Sequence, residues 1–579
     1  MYKLIRLLRP YRFAALLAPL FMLLEVTMDL LQPRLMASIV NDGVTAGNLG
    51  HITHTGTLML AAAAVGLIGG VYSTIFSTIA SQNFGGDLRQ ELFEKVQSFS
   101  IRSLERFESG SIVTRLTGDI VQLQNMVMMS LRMFPRQIFQ FAGSLIMALL
   151  ISPRLTVILL VMIPVVLLLL VAFTRMSIPL YGNVQEKLDR VNLAMQENLS
   201  GIRVVKAFVR SDYEEQRFGS RNSHFLQASL KAARLMALNT PLMAMILNFS
   251  VVAALWYGGI LSEKGLLSVG DLAAFLTYIT KLLFATLGMG SQLMTISRAK
   301  ASAARIYEVL DTPSDSSGDR EITISHSQPQ VIDTINGRLA FEHVSFSYDS
   351  NLHHAVLRDI DFIAEPGQTI GIIGVNGAGK STMVSLIPGF YPVTEGRITI
   401  DHMDINKLDT EKLHQVVGMV LQQALLFSGS ILDNIRYGKP RATMEEVIEA
   451  ARLAEAHDFI SRLPQGYDTV LGQRGVNLSG GQKQRISIAR TLLLKPGIII
   501  LDDCTSAVDL QTDYRIRSSL KLVMKNSTCL IIAQRIASIQ HADLILVLED
   551  GRITARGNHD TLLASSRLYK DIAASQQGA

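Results

Sequence analysis

The sequence predicts a multidomain membrane protein, with an all-α domain of six membrane helices followed by an α/β domain that holds a phosphate-binding loop. Two observations carry this prediction. Long apolar runs stop near residue 296, and an ordinary soluble composition follows in the remainder of the 579 residues. Within that second part, 374–382 reads GVNGAGKST, between a short β-rich run and a helical pattern. At this length several domains are expected.

Six apolar runs are long enough to cross about 30 Å of hydrocarbon as helices. They lie at 14–36, 57–80, 131–151, 155–176, 240–262 and 272–295. The break between the third and fourth rests on Ser152, Pro153 and Arg154, and a hairpin is favoured there over one span of more than forty residues. The basic segment 1–12 resembles the start of a signal peptide, but the apolar run continues too far. An interfacial helix leading into a retained span is therefore expected.

The distribution of Lys and Arg predicts the orientation. The loop 41–55 has neither residue, whereas the long loops 81–128 and 177–238 are rich in both. These two loops, both termini and the phosphate-binding loop are thus expected on the cytoplasmic side of a bacterial inner membrane. The net charge of +5 is spread among loops rather than gathered in one stripe, which argues against nucleic-acid binding. The two cysteines lack metal spacing and indicate buried thiols in a reducing compartment.

Three domains follow from this organisation: a transmembrane domain at 1–300, a linker at 301–337 and an α/β domain at 338–579. In the cytoplasmic loops, 109–119 and 200–212 each begin with or near Ser-Gly and carry apolar clusters amid charges. Each is either a solvated turn or a short helix that docks on the α/β domain. In the first span, Glu25 and Asp29 lie on one helical face. They could attract cationic amphiphiles, pair with Arg136 or Lys281, or face the outer mouth.

The glycine-rich loop matches G-x-x-x-x-G-K-[ST], in which backbone N–H groups close around phosphate oxygens. Lys380 is expected to reach the β- and γ-phosphates, and Ser381 to ligate Mg²⁺. The chain is therefore expected to bind ATP and Mg²⁺. The expected nucleotide-binding residues of this loop are Gly374, Asn376, Gly377, Ala378, Gly379, Lys380, Ser381 and Thr382.

Two further motifs follow in the order that such a domain requires. An apolar strand IIILD ends at Asp502, which is expected to hold Mg²⁺ through water. The segment LSGGQ at 478–482 opens a helix whose hydroxyl and N–H groups suit a γ-phosphate. LSGGQ alone is a weak match. Together with the phosphate loop before it and Asp502 after it, the set is close to diagnostic.

On these motifs the whole chain resembles a half-transporter of the ABC exporter family, with six membrane helices fused to one nucleotide-binding domain. The resemblance implies that Tyr348 stacks on adenine, that Gln422 contacts Mg²⁺ and the attacking water, and that Asp509 in the loop SAVD crosses a dimer interface. It also implies that 109–119 and 200–212 are coupling helices, with Arg115 and Phe208 as candidate contacts. Two domains should then dimerise head to tail, each ATP lying between one phosphate loop and the partner's signature residues Ser479, Gly480, Gly481 and Gln482.

Two departures from the family pattern stand out. The family has Glu as the general base after the Walker B aspartate, where this chain has Asp503, and a switch histidine where this chain has Gln534. Aspartate is one methylene shorter, and misplacement of about 1 Å can cost roughly 10²-fold in rate. The pattern resembles the degenerate-site member of bacterial heterodimeric multidrug exporters. The expected partner is a second half-transporter with an intact catalytic Glu and switch His, and the expected cargo is a small amphiphilic or hydrophobic molecule.

Alternatives to this hypothesis remain open at the sequence level. A homodimeric exporter of lipid or peptide would use Asp503 as its base after all. An ATP-gated channel or sensor on the same scaffold would also tolerate slow hydrolysis, and ATP-driven ion conductance would identify it. Import is less favoured because no substrate-delivery domain is present, and the six spans exclude a soluble ABC ATPase.

Overall fold

The computed structural model describes residues 6–313, 336–349, 351–504 and 527–577, with 512, 514–516 and 518–519. The chain divides into two compact units. The first comprises Met1–Gln97 with Glu108–Thr312, and the second comprises Ser98–Phe107 with Pro313–Ala579. The predicted boundary near residue 300 therefore misses one feature, because ten residues of the loop 81–128 cluster with the α/β unit.

Among the described residues, six helices are long and apolar enough to cross a membrane, which confirms the six predicted spans. Several continue far beyond the hydrocarbon thickness, as the helical pattern of the cytoplasmic loops predicts. The helices of this unit are α1 (Arg12–Ser38), α2 (Leu49–Gln97), α4 (Gly110–Ile151), α5 (Pro153–Ser200), α6 (Ile202–Ala207), α7 (Ser211–Glu263) and α8 (Val269–Leu310), while α3 (Ile101–Glu105) belongs to the second unit.

The predicted break between the third and fourth spans lies where the sequence placed it. Ser152 adopts an extended conformation with φ −156° and ψ 107° and caps α5 by accepting a hydrogen bond from the Leu155 N–H. Pro153 then occupies the first helical position, where its missing N–H costs nothing. Leu155 and Leu159 on the next turns are fully buried in the apolar core of this unit.

The expectation of a short coupling helix at 109–119 is wrong. These residues begin the continuous helix α4, which contains a π-helical turn at Arg115–Asp119. Arg115 is buried, and its Nη2 donates to Glu308 Oε2 of α8 at 2.7 Å. The short helix of this loop is instead α3, which begins eight residues earlier at Ile101. Apolar residues followed by charges occur in both stretches, so composition did not distinguish them.

The second stretch does form a short helix. The six-residue α6 lies between α5 and α7, and the two residues that follow it are in turn conformation, with Val209 at φ 53°. Phe208 is 74% exposed. The docking role expected for this segment stays a prediction.

The second unit is an α/β domain around a six-stranded sheet with strand order β12-β11-β3-β10-β9-β6, in which only the β11–β12 pair is antiparallel. A four-stranded antiparallel sheet, β2-β1-β4-β5, and a two-stranded sheet, β7-β8, complete it. The strands are β1 (Leu339–Phe346), β2 (Leu357–Ala364), β3 (Thr369–Gly374), β4 (Glu395–Ile400), β5 (Met403–Asp404), β6 (Val417–Val420), β7 (Gly429–Ser430), β8 (Val470–Leu471), β9 (Ile498–Asp502), β10 (Thr528–Ile532), β11 (Leu544–Glu549) and β12 (Arg552–Gly557).

The central strands of the larger sheet are continuous apolar runs because helices cover both faces of a parallel sheet. In β9, all five residues are buried. The helices of this unit after α8 are α9 (Lys380–Leu386), α10 (Thr410–Val416), α11 (Ile431–Arg436), α12 (Met444–Leu453), α13 (His457–Ser461), α14 (Gly480–Leu492), α15 (His559–Ser565) and α16 (Arg567–Gln577).

Candidate functional site

Four neighbouring parallel strands end at the same edge of the sheet and place four of the predicted residues together. The phosphate loop follows β3, Gln534 follows β10, Asp503 follows β9 and Gln422 follows β6. Because β3, β10, β9 and β6 are consecutive in the sheet, residues far apart in sequence become neighbours. Ligand sites of open α/β sheets lie at the carboxyl ends of the strands.

The phosphate loop has the backbone that its glycines allow. Gly377 and Gly379 adopt φ values of 84° and 94°, a region that other residues rarely occupy. At Gly379 a Cβ would come within 2.7 Å of Leu357 Cδ2 and 3.2 Å of the Val356 carbonyl oxygen, so close packing as well as backbone angle disfavours a side chain. The helix α9 begins immediately afterwards, which directs the N–H groups of its first turn towards the loop.

Lys380 lies across the loop that it belongs to. Its Nζ donates to the carbonyl oxygens of Gly374 and Val375, both at 2.8 Å. Burial lowers the pKa of this lysine, although the nearby carboxylates of Asp502 and Asp503 act in the opposite direction. An ammonium held on the carbonyls of a phosphate-binding loop fits the β- and γ-phosphates of a nucleotide.

The residues expected to hold Mg²⁺ are adjacent. The Ser381 hydroxyl donates to Asp502 Oδ1 at 3.2 Å, and Asp502 is buried at the end of β9. Burial raises the pKa of the Asp502 carboxyl, and the neighbouring charge of Asp503 raises it further. Within the described residues there is no cluster of three or more His, Cys, Asp or Glu side chains that could hold a metal. Two oxygen ligands fit Mg²⁺, because this ion commonly takes its remaining ligands from phosphates and water.

Two glutamine side chains, both predicted for this site, hold the Asp503 carboxylate. Gln534 Nε2 donates to Asp503 Oδ2 at 2.9 Å, and Gln422 Nε2 donates to the same oxygen at 3.3 Å. The Asp503 backbone is left-handed, with φ 44°, and its N–H donates to the carbonyl of Ile532. Burial raises the pKa of the Asp503 carboxyl, whereas the Gln422 hydrogen bond and the charges of Lys380 and Arg535 lower it.

Tyr348 stands over the start of α9. Its hydroxyl lies 3.1 Å from Thr382 Oγ1, and its ring packs edge-on against Tyr391, with ring centroids 5.3 Å apart. The side chain is 46% exposed, which leaves aromatic surface for the stacking on adenine that the resemblance implies.

The signature segment forms the N-terminus of α14. The Ser479 hydroxyl accepts from the Gln482 N–H, and the Gln482 side chain accepts from the Ser479 N–H, a reciprocal capping box. Gly480 opens the helix, and Gly481 follows it without a side chain, so the first turn presents its backbone without obstruction. Asp509, expected at a dimer interface, lies outside the described residues.

Sequence reasoning missed one element close to this site, the helix α3. Ser100 caps it by accepting from the Ser103 N–H, and Ile101 packs on the core of the α/β unit. At its end, Glu105 Oε1 accepts from the Tyr391 hydroxyl at 2.6 Å. Ser100, an extended residue before a short amphipathic run, was a capping signal that could have located this helix.

The acids of the first span are paired. Arg136 Nη2 lies 3.1 Å from Glu25 Oε1, and Lys281 Nζ lies 2.6 Å from Asp29 Oδ1. Of the three possibilities left open for these acids, pairing within the membrane unit is the one observed. Their attraction for a cationic cargo is correspondingly reduced.

The chain is similar in sequence and in structure to known proteins. Residues 15–287 match the family described as "ABC transporter transmembrane region", and residues 357–506 match "ABC transporter". The chain is 41% identical over 578 residues to an uncharacterized ABC transporter ATP-binding protein, YfiB, of Bacillus subtilis (strain 168), covering 100% of this chain and 99% of that protein.

Two further similarities concern a named cargo and a solved structure. The chain is 36% identical over 482 residues to a "Fatty acid ABC transporter ATP-binding/permease protein" of Mycobacterium bovis, covering 83% of this chain and 75% of that protein. It also resembles the structure of a bacterial Atm1-family ABC exporter with ATP bound, with a TM-score of 0.79, 28% identity and 98% of each chain covered.

Proposed function

Since the chain belongs to the ABC transporter family, we propose that it is the degenerate-site half of a heterodimeric exporter in a bacterial inner membrane. It is an exporter polypeptide that fuses six membrane helices to a domain for ATP and Mg²⁺. The cargo that we propose is a small amphiphilic or hydrophobic molecule. The family's half-transporters act as dimers, so one chain supplies half of each composite ATP site.

The observation that carries this proposal is the environment of Asp503. A general base must have a free lone pair aimed at the attacking water. Here the carboxylate is shortened by one methylene, and one of its two oxygens already accepts from both Gln534 and Gln422. Gln534 can donate a hydrogen bond at the switch position, but it cannot carry a proton as histidine can. ATP bound at this phosphate loop should be hydrolysed slowly.

The intact signature supports the heterodimer over the homodimer. A homodimer would combine two sound signatures with two weakened bases, whereas a partner with Glu and His would form one competent site with Ser479 and its neighbours. In the competent site, this chain would contribute only the α14 N-terminus. In the degenerate site, slowly hydrolysed ATP would bias the population towards closed nucleotide-binding domains.

The decisive measurement is ATP hydrolysis by this chain purified alone in lipid, compared with the chain co-expressed with its genomic neighbour. We expect almost no ATP hydrolysis by the chain alone and brisk hydrolysis by the pair. Brisk hydrolysis alone would mean a self-sufficient homodimer in which Asp503 is the base. A steady ATP-dependent ion current from the reconstituted pair would favour a channel instead.

A further inference from the structure

Four polar side chains lie on one face of α4 within the membrane unit. They are Arg132, Arg136, Gln140 and Ser144, and we refer to them as the polar ridge. Residues four apart form a continuous ridge along a helix. At about 1.5 Å per residue, the ridge extends for roughly 18 Å, more than half of the hydrocarbon thickness.

The polar ridge carries buried polar atoms that no described residue satisfies. Arg132 Nε, Gln140 Oε1 and Ser144 Oγ lack a hydrogen-bond partner in the described part of the chain, as does Glu25 Oε2 beside Arg136. The side chains of Gln140 and Ser144 are more than nine-tenths buried. In hydrocarbon each unsatisfied group costs several kcal/mol, so a row of them on consecutive turns indicates a polar ligand.

The charges along the polar ridge favour an anion rather than a cation. Arg136 is neutralised by Glu25, and Lys281 by Asp29, whose Oδ2 also accepts from Gln140 Nε2 at 3.2 Å. Arg132 has no ion-pair partner among the described residues, which leaves the cluster with one net positive charge. Partly exposed charges at this depth face a polar path or a partner rather than lipid tails.

The unsatisfied atoms include both hydrogen-bond donors and acceptors, and this combination defines the chemistry of the ligand. Arg132 Nε is a donor and meets an anionic group. Glu25 Oε2 and Gln140 Oε1 are acceptors, which an anion alone cannot satisfy but an N–H group can. Ser144 can donate or accept. The polar ridge therefore suits a headgroup that combines an anion with N–H donors.

We propose that the polar ridge is the binding site for an amphiphile whose headgroup carries a carboxylate or phosphate together with N–H donors. The anion pairs with Arg132, and the N–H groups donate to Glu25 and Gln140. The acyl chain then lies among apolar side chains of the membrane helices. This inference names the cargo class of the proposed exporter and rests on that function only for the direction in which the cargo moves.

The test is equilibrium binding to the full-length chain in phosphatidylcholine nanodiscs, which requires neither hydrolysis nor the partner. Two probes carry the proposed headgroup chemistry, lysophosphatidylethanolamine for a lipid source and N-dodecanoylglycine for a free acylated amino acid. Chain-matched lysophosphatidylcholine and dodecanoate lack N–H donors, and dodecyltrimethylammonium lacks the anion. Because each probe and its control have acyl chains of equal length, they partition into the bilayer to a similar extent.

We expect at least one donor-bearing anion to bind about tenfold more tightly than its chain-matched control, since hydrogen bonds to charged groups are stronger than those between neutral groups. Which of the two probes binds identifies the source of the headgroup. Arg132→Gln should reduce the preference for anionic amphiphiles over dodecyltrimethylammonium severalfold, because Arg132 pairs with the anion. The nearly isosteric Ser144→Ala should reduce the preference for N–H donors over the chain-matched controls severalfold. Each ridge variant thus loses part of the headgroup preference. The matched control Arg154→Gln, at an exposed position of the hairpin, should retain it.

Equal affinity for all five amphiphiles, tighter binding of the cation, or an unchanged preference in both ridge variants would overturn the proposal. These outcomes are separate from those of the heterodimer test. Brisk hydrolysis by the chain alone would remove the degenerate-site function without altering headgroup preference. A loss of headgroup preference would leave the nucleotide site as proposed.

Discussion

At the scale of single residues, the nucleotide site differs from its family in the environment of one carboxylate. Asp503 projects from a left-handed backbone position, and two glutamine amides hold the same oxygen of its side chain. A glutamate at this position would carry its carboxylate one methylene further from the backbone. Replacing Gln534 would release the shorter of the two hydrogen bonds.

The double substitution Asp503→Glu with Gln534→His should raise hydrolysis at this site in the assembled pair. A restored base and a proton-carrying switch residue are expected to increase the rate of hydrolysis by about tenfold to a hundredfold. Misplacing a general base by about 1 Å can lower a rate by roughly that factor. The rate of phosphate release measures hydrolysis at this site, once the partner's catalytic Glu has been replaced by Gln to inactivate the other site. Unchanged hydrolysis would show that this site is not limited by Asp503.

Lys380→Ala should weaken ATP binding by tenfold or more. The ammonium lies on the loop carbonyls of Gly374 and Val375 and is the charge that a phosphate would pair with. Hydrogen bonds to charged groups contribute about 1.5–3 kcal/mol. Equilibrium binding of a fluorescent ATP analogue measures this, and exposed Lys412→Ala on α10 serves as the control. Equal loss in both variants would remove the assigned role.

The Cys529 thiol should resist alkylation in the folded protein up to pH 9. It is fully buried in β10, and burial raises its pKa far above the ordinary value. An exposed thiol becomes reactive as pH rises through about 8.5, whereas the thiolate of Cys529 stays rare throughout that interval. Mass spectrometry after iodoacetamide treatment should find Cys529 unmodified in the native chain and modified after denaturation. Rapid native labelling would contradict the buried placement.

At the scale of elements, the short helix α3 packs on the α/β core although it is far from that domain in the sequence. Ile101 packs on that core, and the Tyr391 hydroxyl donates to Glu105. Tyr391 also contacts Tyr348, the residue expected to stack on adenine. Tyr348 and a segment of the loop between the second and third spans thus share one aromatic neighbour within the same unit.

Tyr391→Phe should loosen α3 while leaving the aromatic packing intact. Losing one hydrogen bond to a carboxylate costs about 1.5 kcal/mol or more, which corresponds to at least about a tenfold loss of protection. Amide hydrogen exchange over residues 98–107 measures this, and exposed Tyr437→Phe, whose ring stacks on Phe427, is the control. Equal protection in both variants would mean that the Glu105 contact does not hold the helix.

At the scale of the whole molecule, the placement of Lys and Arg predicts which loops face the cytoplasm. The segment between α1 and α2 lacks both residues, and the long helical extensions between later spans are rich in them. Both native cysteines are buried. Single introduced cysteines can therefore report on orientation with little background.

In intact cells, an impermeant maleimide should label Asn48→Cys and Lys264→Cys but not Arg210→Cys. The first two positions precede or follow spans on the predicted outer side, and Arg210 lies in a cytoplasmic loop by the positive-inside rule. Permeabilised cells should label all three, which controls for local accessibility. Labelling of Arg210→Cys in intact cells would reverse the predicted orientation.

Local patterns determined much of this protein. Span number, the Ser152–Pro153 break, the phosphate loop and the strand ending at Asp502 all follow from hydrophobic period, caps and glycines within short windows. The identities of Asp503 and Gln534 likewise needed no structure, because they depart from a motif of fixed spacing. These features are encoded by neighbours in the chain.

Only the tertiary structure decided which distant groups meet. Gln422 and Gln534 share one Asp503 oxygen because β6, β9 and β10 are adjacent in the sheet. The pairing of Glu25 with Arg136, the burial of Arg115 against Glu308 and the docking of α3 on the α/β core join residues about 100 to 290 positions apart. No local period specifies such contacts, because packing of whole elements against one another selects them.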